Sequence, residues 1–292
     1  MDYHNPKIPE GINVTETHPL KEFSLLSAVV VAGVLLLTLL VSLSVDWLVS
    51  YIPFEYEQQL VKKYEPEMGE RDEVDAYLQG LADKVAVAMA LPAEMKIRIH
   101  YINDDTVNAF ATFGGHVMVF RGLMEKLPSE NALAMLIGHE IAHVKLRHPL
   151  RAMGKGIVLG ALFNMVLGQS SDSLSSLMSN TGMMTILSFS REQEEKADEE
   201  GLKALWRQYQ HVAGSLELFR VLQKLKQEQG ESMPSLLRSH PQTTERISHL
   251  QQMAKMRQWS LQGKRHPIPA SILSKLAADK IAISTRSKGV SD

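Results

Sequence analysis

With 292 residues, 33 acidic and 31 basic side chains, the chain has room for one large domain or two small ones. It carries no broad electrostatic field that would point to nucleic acid. It has no cysteine, which excludes disulfides, Cys-ligated zinc, thiol catalysis and cysteine-anchored lipid.

In chain order, residues 1–22 form a charged N-terminal segment and residues 23–45 carry no charge at all. About 20 apolar residues cross a bilayer as a helix, so this stretch is expected to be a transmembrane anchor in contact with lipid. Lys7 and Lys21 precede it, and no Lys or Arg follows until Lys62. The positive-inside rule then predicts a cytoplasmic N-terminus, a single pass through the inner membrane and a periplasmic remainder. Residues 46–65 read as a juxtamembrane linker, with Trp47, Tyr51 and Phe54 placed for the membrane interface. The main domain is expected over 66–262 and a loosely docked tail over 263–292.

Within that domain, residues 66–90 read as a helix broken at Leu91-Pro92. Alternation predicts strands at Met95–Tyr101, Thr106–Ala111 and His116–Phe120, the last following a tight turn at Gly114-Gly115. A helix is expected from Asn131 to Leu146, with Ser129 as N-cap, Glu130 in its first turn and Pro149 as its stop. The apolar run Gly156–Gly168 is too short to span a bilayer and reads as a buried helix. Helical patterning continues to about Gln262, interrupted by a Ser-rich loop near Gln169–Ser176 and by Pro234 and Pro241. The fold class is α+β, mainly α, with a small β-sheet.

The chemistry concentrates in LIGHEIAHVKLRHP, Leu136–Pro149. At this composition H-E-x-x-H arises by chance roughly 0.03 times, so helical context has to sharpen it. Residues four apart lie about 40° apart around a helix, so His139 and His143 point the same way. Glu140 reaches a ligand held between them. Apolar neighbours on most sides make this a buried helix, where two His and a Glu cost several kcal/mol each unless paired or coordinated. A metal site with a carboxylate base is therefore favoured over solvated histidines.

A catalytic zinc takes three protein ligands and a water. His148 is set aside, because five residues past His143 it lies about 140° around the helix; it is expected at the surface or at the helix C-terminus. SREQEEKADEEG, Ser190–Gly201, offers carboxylates on a second helix. Spacing alone does not choose among Glu192, Glu194, Glu195 and Asp198.

Together HEIAHVKLRH and SREQEEKAD resemble the zinc metallopeptidase family that includes HtpX, BepA and the CAAX prenyl proteases, whose signature is H-E-x-x-H followed by S-R-x-x-E-x-x-A-D. VNAFATFGGHVMVFRGLM resembles the family's segment before the zinc helix, and SHPQTTERI its downstream H-P-x-x-x-x-R-I element. The likeness covers roughly residues 70–255. Helical repeats like those of BepA and the extra spans of HtpX are not legible here.

The resemblance implies a zincin-type domain over 66–262 binding one Zn2+ through His139, His143 and Glu194. It implies Asp198 as a partner of a ligating histidine, Glu140 as catalytic base, and His240 and Arg246 as oxyanion donors or, for His240, a switch ligand. The expected function is a membrane-anchored zinc endopeptidase acting on proteins or peptides, including misfolded envelope proteins in quality control. An anchored zinc-containing assembly or chaperone-like factor with little hydrolysis is the competing reading. An extended substrate is expected to pair with a free edge at Gly115, His116, Val117, Met118 and Val119.

Overall fold

The uncharged N-terminal stretch is a single helix, α1 (Pro19–Val49), in a computed structural model that describes residues 18–62, 72–167, 188–229, 235–240 and 244–288. With a mean hydropathy of 2.7 over its most apolar 18 residues, it is long and apolar enough to cross a membrane. Its hydroxyls are hidden by bonds to the preceding turn: Ser24 to Leu20 O (2.7 Å), Thr38 to Val34 O (2.8 Å) and Ser44 to Leu40 O (2.7 Å). Such bonds remove the cost of a polar group in hydrocarbon. Among the described residues, those up to Ser44 form one compact unit and those from Val45 onward another.

In the second unit α2 (Phe54–Lys62) leads to α3 (Glu73–Ala88). A capping box starts α3: Asp72 accepts the amides of Val74 (2.8 Å) and Asp75 (3.1 Å), and Asp75 accepts that of Asp72. Val74, Leu78, Leu81, Ala82 and Val85 form its buried stripe, and the chain turns out at Ala90, φ 51°. The part of the expected 66–90 helix before residue 72 lies outside the described residues. So do Gly168, the Ser-rich loop near Gln169–Ser176, Pro234 and Pro241.

Three strands follow: β1 (Arg98–Ile102), β2 (Ala109–Ala111) and β3 (His116–Phe120). Gly114 (φ 77°) and Gly115 (φ 87°) make the turn before β3, in a conformation that favours glycine. The sheet order is β1-β3-β2. Strand β3 runs parallel to β1, with Arg98 opposite His116, and antiparallel to β2, with Ala111 opposite Val117. The expected free edge at 115–119 is therefore overturned, because β3 is the central strand, bonded on both sides.

The outer edge of β1 is occupied as well. Gln79 of α3 accepts the Ile99 amide (3.0 Å) and donates to Ile97 O (3.1 Å), while Asp75 accepts the Tyr101 amide (2.9 Å). That leaves β2. Thr112 N–H donates to His116 O and Phe120 N–H to Asn108 O, so the alternate residues Ala109 and Ala111 turn their main-chain groups away from β3. β2 is thus the terminal strand of the sheet, but its outer side is covered: Ala109 and Ala111 are buried, and the Leu236 N–H donates to Val107 O at 3.4 Å.

After α4 (Arg121–Met124) comes α5 (Glu130–Lys145), the central helix, in which every residue from Asn131 to Val144 is buried. Ser129 caps it, its hydroxyl accepting the Ala132 amide at 3.2 Å. Pro149 does not stop it. The chain leaves α5 through Arg147 at φ 59°, and α6 (His148–Leu167) starts at once, with Pro149 in its first turn, where a missing N–H costs nothing. Then come α7 (Arg191–Tyr209), α8 (Ser215–Gln229), α9 (Ser235–Ser239), α10 (Thr244–Met256) and α11 (Ala270–Lys288).

Two peripheral expectations change. Phe54 is 3% exposed in the core rather than at a membrane interface, whereas Trp47 and Tyr51 are exposed. The C-terminal segment is a docked helix: Ile268, Ile272 and Leu276 are buried, and the Tyr101 hydroxyl donates to Asp279 at 3.1 Å.

Candidate metal centre

Two helices carry the site, and two glycines let them meet. A Cβ on Gly138 of α5 would lie 3.2 Å from the Gly201 Cα of α7, and one on Gly201 would lie 3.1 Å from the His139 amide nitrogen. With no side chain at either position, the backbones approach closely. Helix α7 begins with a capping box between Ser190 and Gln193 and buries one face: Glu194, Ala197, Asp198, Gly201, Leu202, Ala204 and Leu205. That face decides among the four carboxylates. Glu194 and Asp198 point at α5, while Glu192 is exposed and paired with Lys196, and Glu195 is only partly covered.

Around the H-E-x-x-H turn, His139 Nε2 and His143 Nε2 lie 3.0 Å apart. Glu194 places Oε1 3.4 Å from His143 Nε2 and Oε2 3.5 Å from His139 Nε2. His240, just past α9, brings Nδ1 to 2.9 Å from Glu194 Oε1 and 3.2 Å from His139 Nε2. All four residues are buried, with donor atoms within 4.8 Å of one another. An ion bound tetrahedrally by N and O ligands at about 2.0–2.1 Å has ligand atoms roughly 3.3–3.4 Å apart. The observed separations fit such an ion.

Supporting groups fix each donor. The other ring nitrogen of His139 lies 2.8 Å from Asp198 Oδ1. Arg246 of α10 forks onto Asp198 with bonds of 2.7 and 2.8 Å and pairs with Glu194 at 2.7 Å. Arg246 thus braces two carboxylates. His148 is buried, against expectation, with Nδ1 2.9 Å from His143 Nδ1. It opens α6 instead of extending α5, so the angle of a continuous helix does not apply to it. Phe189 lies against the His143 ring, centroids 4.1 Å apart and planes 26° apart. Sequence reasoning missed Phe189, Gly138 and Gly201. A glycine inside each helical pattern was the available signal for the last two.

Electrostatics favour positive charge here. Burial works against charge on His139, yet Glu194 and Asp198 outweigh it and push its pKa up to about 10. For Glu194, burial is outweighed by His240 and His139, which hold its carboxyl well below the ordinary range. His143 falls well below the usual histidine value, chiefly through burial, and His148 drops to about 4 for the same reason. A carboxylate-rich pocket that stabilises a cation at His139 meets the same demand a divalent ion makes.

Glu140 is fully buried, and neither carboxylate oxygen has a hydrogen-bond partner among the described residues. Its Oε1 lies 3.6 Å from His240 Nε2. Beside it is a cavity of ≈ 20 Å³ walled by His139, Glu140, His240 and Arg246, with Phe219 and Leu222 on its apolar side. That is about the room one water needs.

The sequence model of peptidase family M48 matches residues 72–254, which include every residue of this cluster. The chain belongs to that family. Among its relatives, a beta-barrel assembly-enhancing protease of Yersinia pestis is 28% identical over 207 residues, 67% of this chain and 40% of the relative. Mitochondrial metalloendopeptidase OMA1 of Schizosaccharomyces pombe is 26% identical over 204 residues, 68% of this chain and 56% of the relative. Metalloprotease LoiP of Escherichia coli strain K12 is 32% identical over 151 residues, 49% and 57% of the two chains. The alignments thus span between 40 and 57% of these relatives' own length.

Proposed function

We propose that the chain is a membrane-anchored zinc endopeptidase with one Zn2+ held by His139, His143 and Glu194. The observation that carries this is an unbonded, buried Glu140 beside a water-sized cavity and the four-donor cluster. Zinc bound there would make a water acidic and polarise a carbonyl. Glu140 accepts the proton of that water at its free carboxylate and returns it to the leaving amine. Asp198 fixes the His139 ring, and Arg246 fixes Asp198 and Glu194. With Arg246 spent on carboxylates, His240 is the better placed oxyanion donor. Seated among the ligands instead, it closes the site as a fourth donor.

Substrate docks as an added strand. The edge that suits it is β2, the terminal strand, in place of the central one; a peptide there displaces what covers Ala109 and Ala111, including the Leu236 contact to Val107 O. The lysines before α1 and their absence after it support a periplasmic catalytic domain anchored in the inner membrane. Likeness to a beta-barrel assembly-enhancing protease supports protein substrates, and we take these to be envelope proteins, including misfolded ones.

The test is Glu140→Gln in the full chain. It should keep stoichiometric zinc by elemental analysis while peptide cleavage slows at least about 100-fold, the usual worth of general-base help. Near wild-type cleavage would sink the proposal.

One observation favours a second reading. Four protein donors make a closed set, the pattern of structural zinc. A non-hydrolytic assembly factor would then lose function in His139→Ala and keep it in Glu140→Gln.

A further inference from the structure

Helix α2 carries a buried carboxylate that the proposed chemistry does not use. Glu57 is 3% exposed. Its Oε2 accepts the Gly114 N–H at 3.0 Å, and its Oε1 pairs with Arg147 Nη2. Arg147 also donates from Nη1 to Ile52 O at 2.7 Å, and its guanidinium lies 5.8 Å from the centre of the Phe54 ring. A carboxylate in so dry a place is costly unless paired and hydrogen-bonded, and Glu57 is both.

The two ends of this bridge belong to different parts of the fold, the turn before β3 and the junction after α5. Gly114 sits in the turn that joins β2, the terminal strand, to β3. Arg147 is the left-handed residue between α5 and α6, four positions after His143 and next to His148, whose ring contacts His143. A bulky residue at positive φ persists only where its surroundings hold it. The turn is shaped to receive α2: a Cβ on Gly114 would come within 2.7 Å of Val61 Cγ2, and one on Gly115 within 3.3 Å of Phe54 Cζ.

We infer that Glu57 and Arg147 are positioning residues, a clamp from α2 that fixes the substrate-side strand relative to the metal helix. Helix α2 starts five residues after α1 ends, so the clamp is carried by the segment closest in sequence to the anchor. Its task is to hold the distance between the edge where a peptide pairs and the donors where it is cut.

The kinetic arm of the test rests on the endopeptidase reading; the exchange arm does not. Glu57→Ala and Arg147→Ala are made in the full chain in detergent, with Glu57→Gln as a gentler variant that keeps an acceptor for Gly114. In both alanine variants, hydrogen exchange should quicken together at residues 112–116 and 145–148. Zinc should stay at one per chain, and kcat/KM on an extended quenched peptide should fall about 10- to 100-fold, the scale of a small misplacement of reacting groups. The double variant should be no worse than either single one, because the two residues act as one unit. Glu57→Gln should recover part of the loss. Wild-type exchange at either segment would overturn the clamp. So would a lower melting temperature with kcat and KM unchanged, which is what an ordinary structural ion pair gives. If the wild-type chain cleaves no peptide, the endopeptidase reading fails, and exchange still decides the clamp.

Discussion

Glu194 and Asp198 stand one helical turn apart, yet their surroundings give them different work. Glu194 faces three histidines, whereas Asp198 faces the far nitrogen of His139 and the fork of Arg246. Outer partners of this kind are typically worth 10- to 100-fold in metal affinity. Asp198→Asn and His148→Ala should therefore still fill with zinc at saturation but bind it about 10- to 100-fold more weakly, as competition with a chelating indicator would read. His148 belongs in this pair because its ring orients His143. Arg246→Met should act differently. It leaves two buried carboxylates facing each other without their cation, which costs about 3–5 kcal/mol of stability in the metal-free protein. Zinc should restore part of that in thermal unfolding, since it supplies positive charge to Glu194. Unfolding unchanged from wild type would show that Arg246 is no brace.

At the scale of elements, the site depends on how closely α5 and α7 approach and on which strand ends the sheet. Gly138→Ala pushes a methyl against the Gly201 Cα at 3.2 Å. Overpacking of this kind costs about 1–3 kcal/mol, and here it also moves Glu194 away from the histidines. A lower melting temperature with weaker zinc binding is expected; a neutral result would mean that the helices can slide apart freely. Main-chain pairing with β2 makes a prediction that needs no change to the protein. In an antiparallel ladder alternate residues bond, so N-methylation along a substrate peptide should weaken binding at every second position. Inhibition constants without that period of two would remove β2 as the docking edge. The strand boundaries of β3 were legible in HVMVF, since alternation reports which face is buried. Its neighbours were not, because alternation is the same in an edge strand and a central one.

For the whole molecule, burial of the four donors ties metal to folding. A ligand bound only by the native state stabilises it by about 4 kcal/mol when its free concentration is a thousandfold above Kd. Chelation should lower the melting temperature, and zinc should restore it; a metal-indifferent midpoint would mean that the cluster holds no ion. Orientation is tested by a reporter active only in the periplasm, fused after Asp292 so that α11 stays docked. It should be active, and activity of a cytoplasmic reporter alone would reverse the topology.

The sequence by itself determined what local pattern can encode. The apolar span, the Ser129 cap, the pairing of His139 with His143 on one face and the mainly helical class all follow from composition and spacing within one element. Which acid of α7 meets those histidines is a different question. Glu192, Glu194, Glu195 and Asp198 share a helix, and only the direction from which α5 packs, through Gly138 and Gly201, separates them. His148 and Phe54 were misplaced because each follows a turn, one at Arg147 and one at residues 50–52, and a helical or amphipathic pattern cannot be extrapolated through a turn. Strand order and the docking of α11 rest on contacts between residues far apart in sequence. Such contacts leave no periodic trace in either partner, so they exist only once the chain has folded.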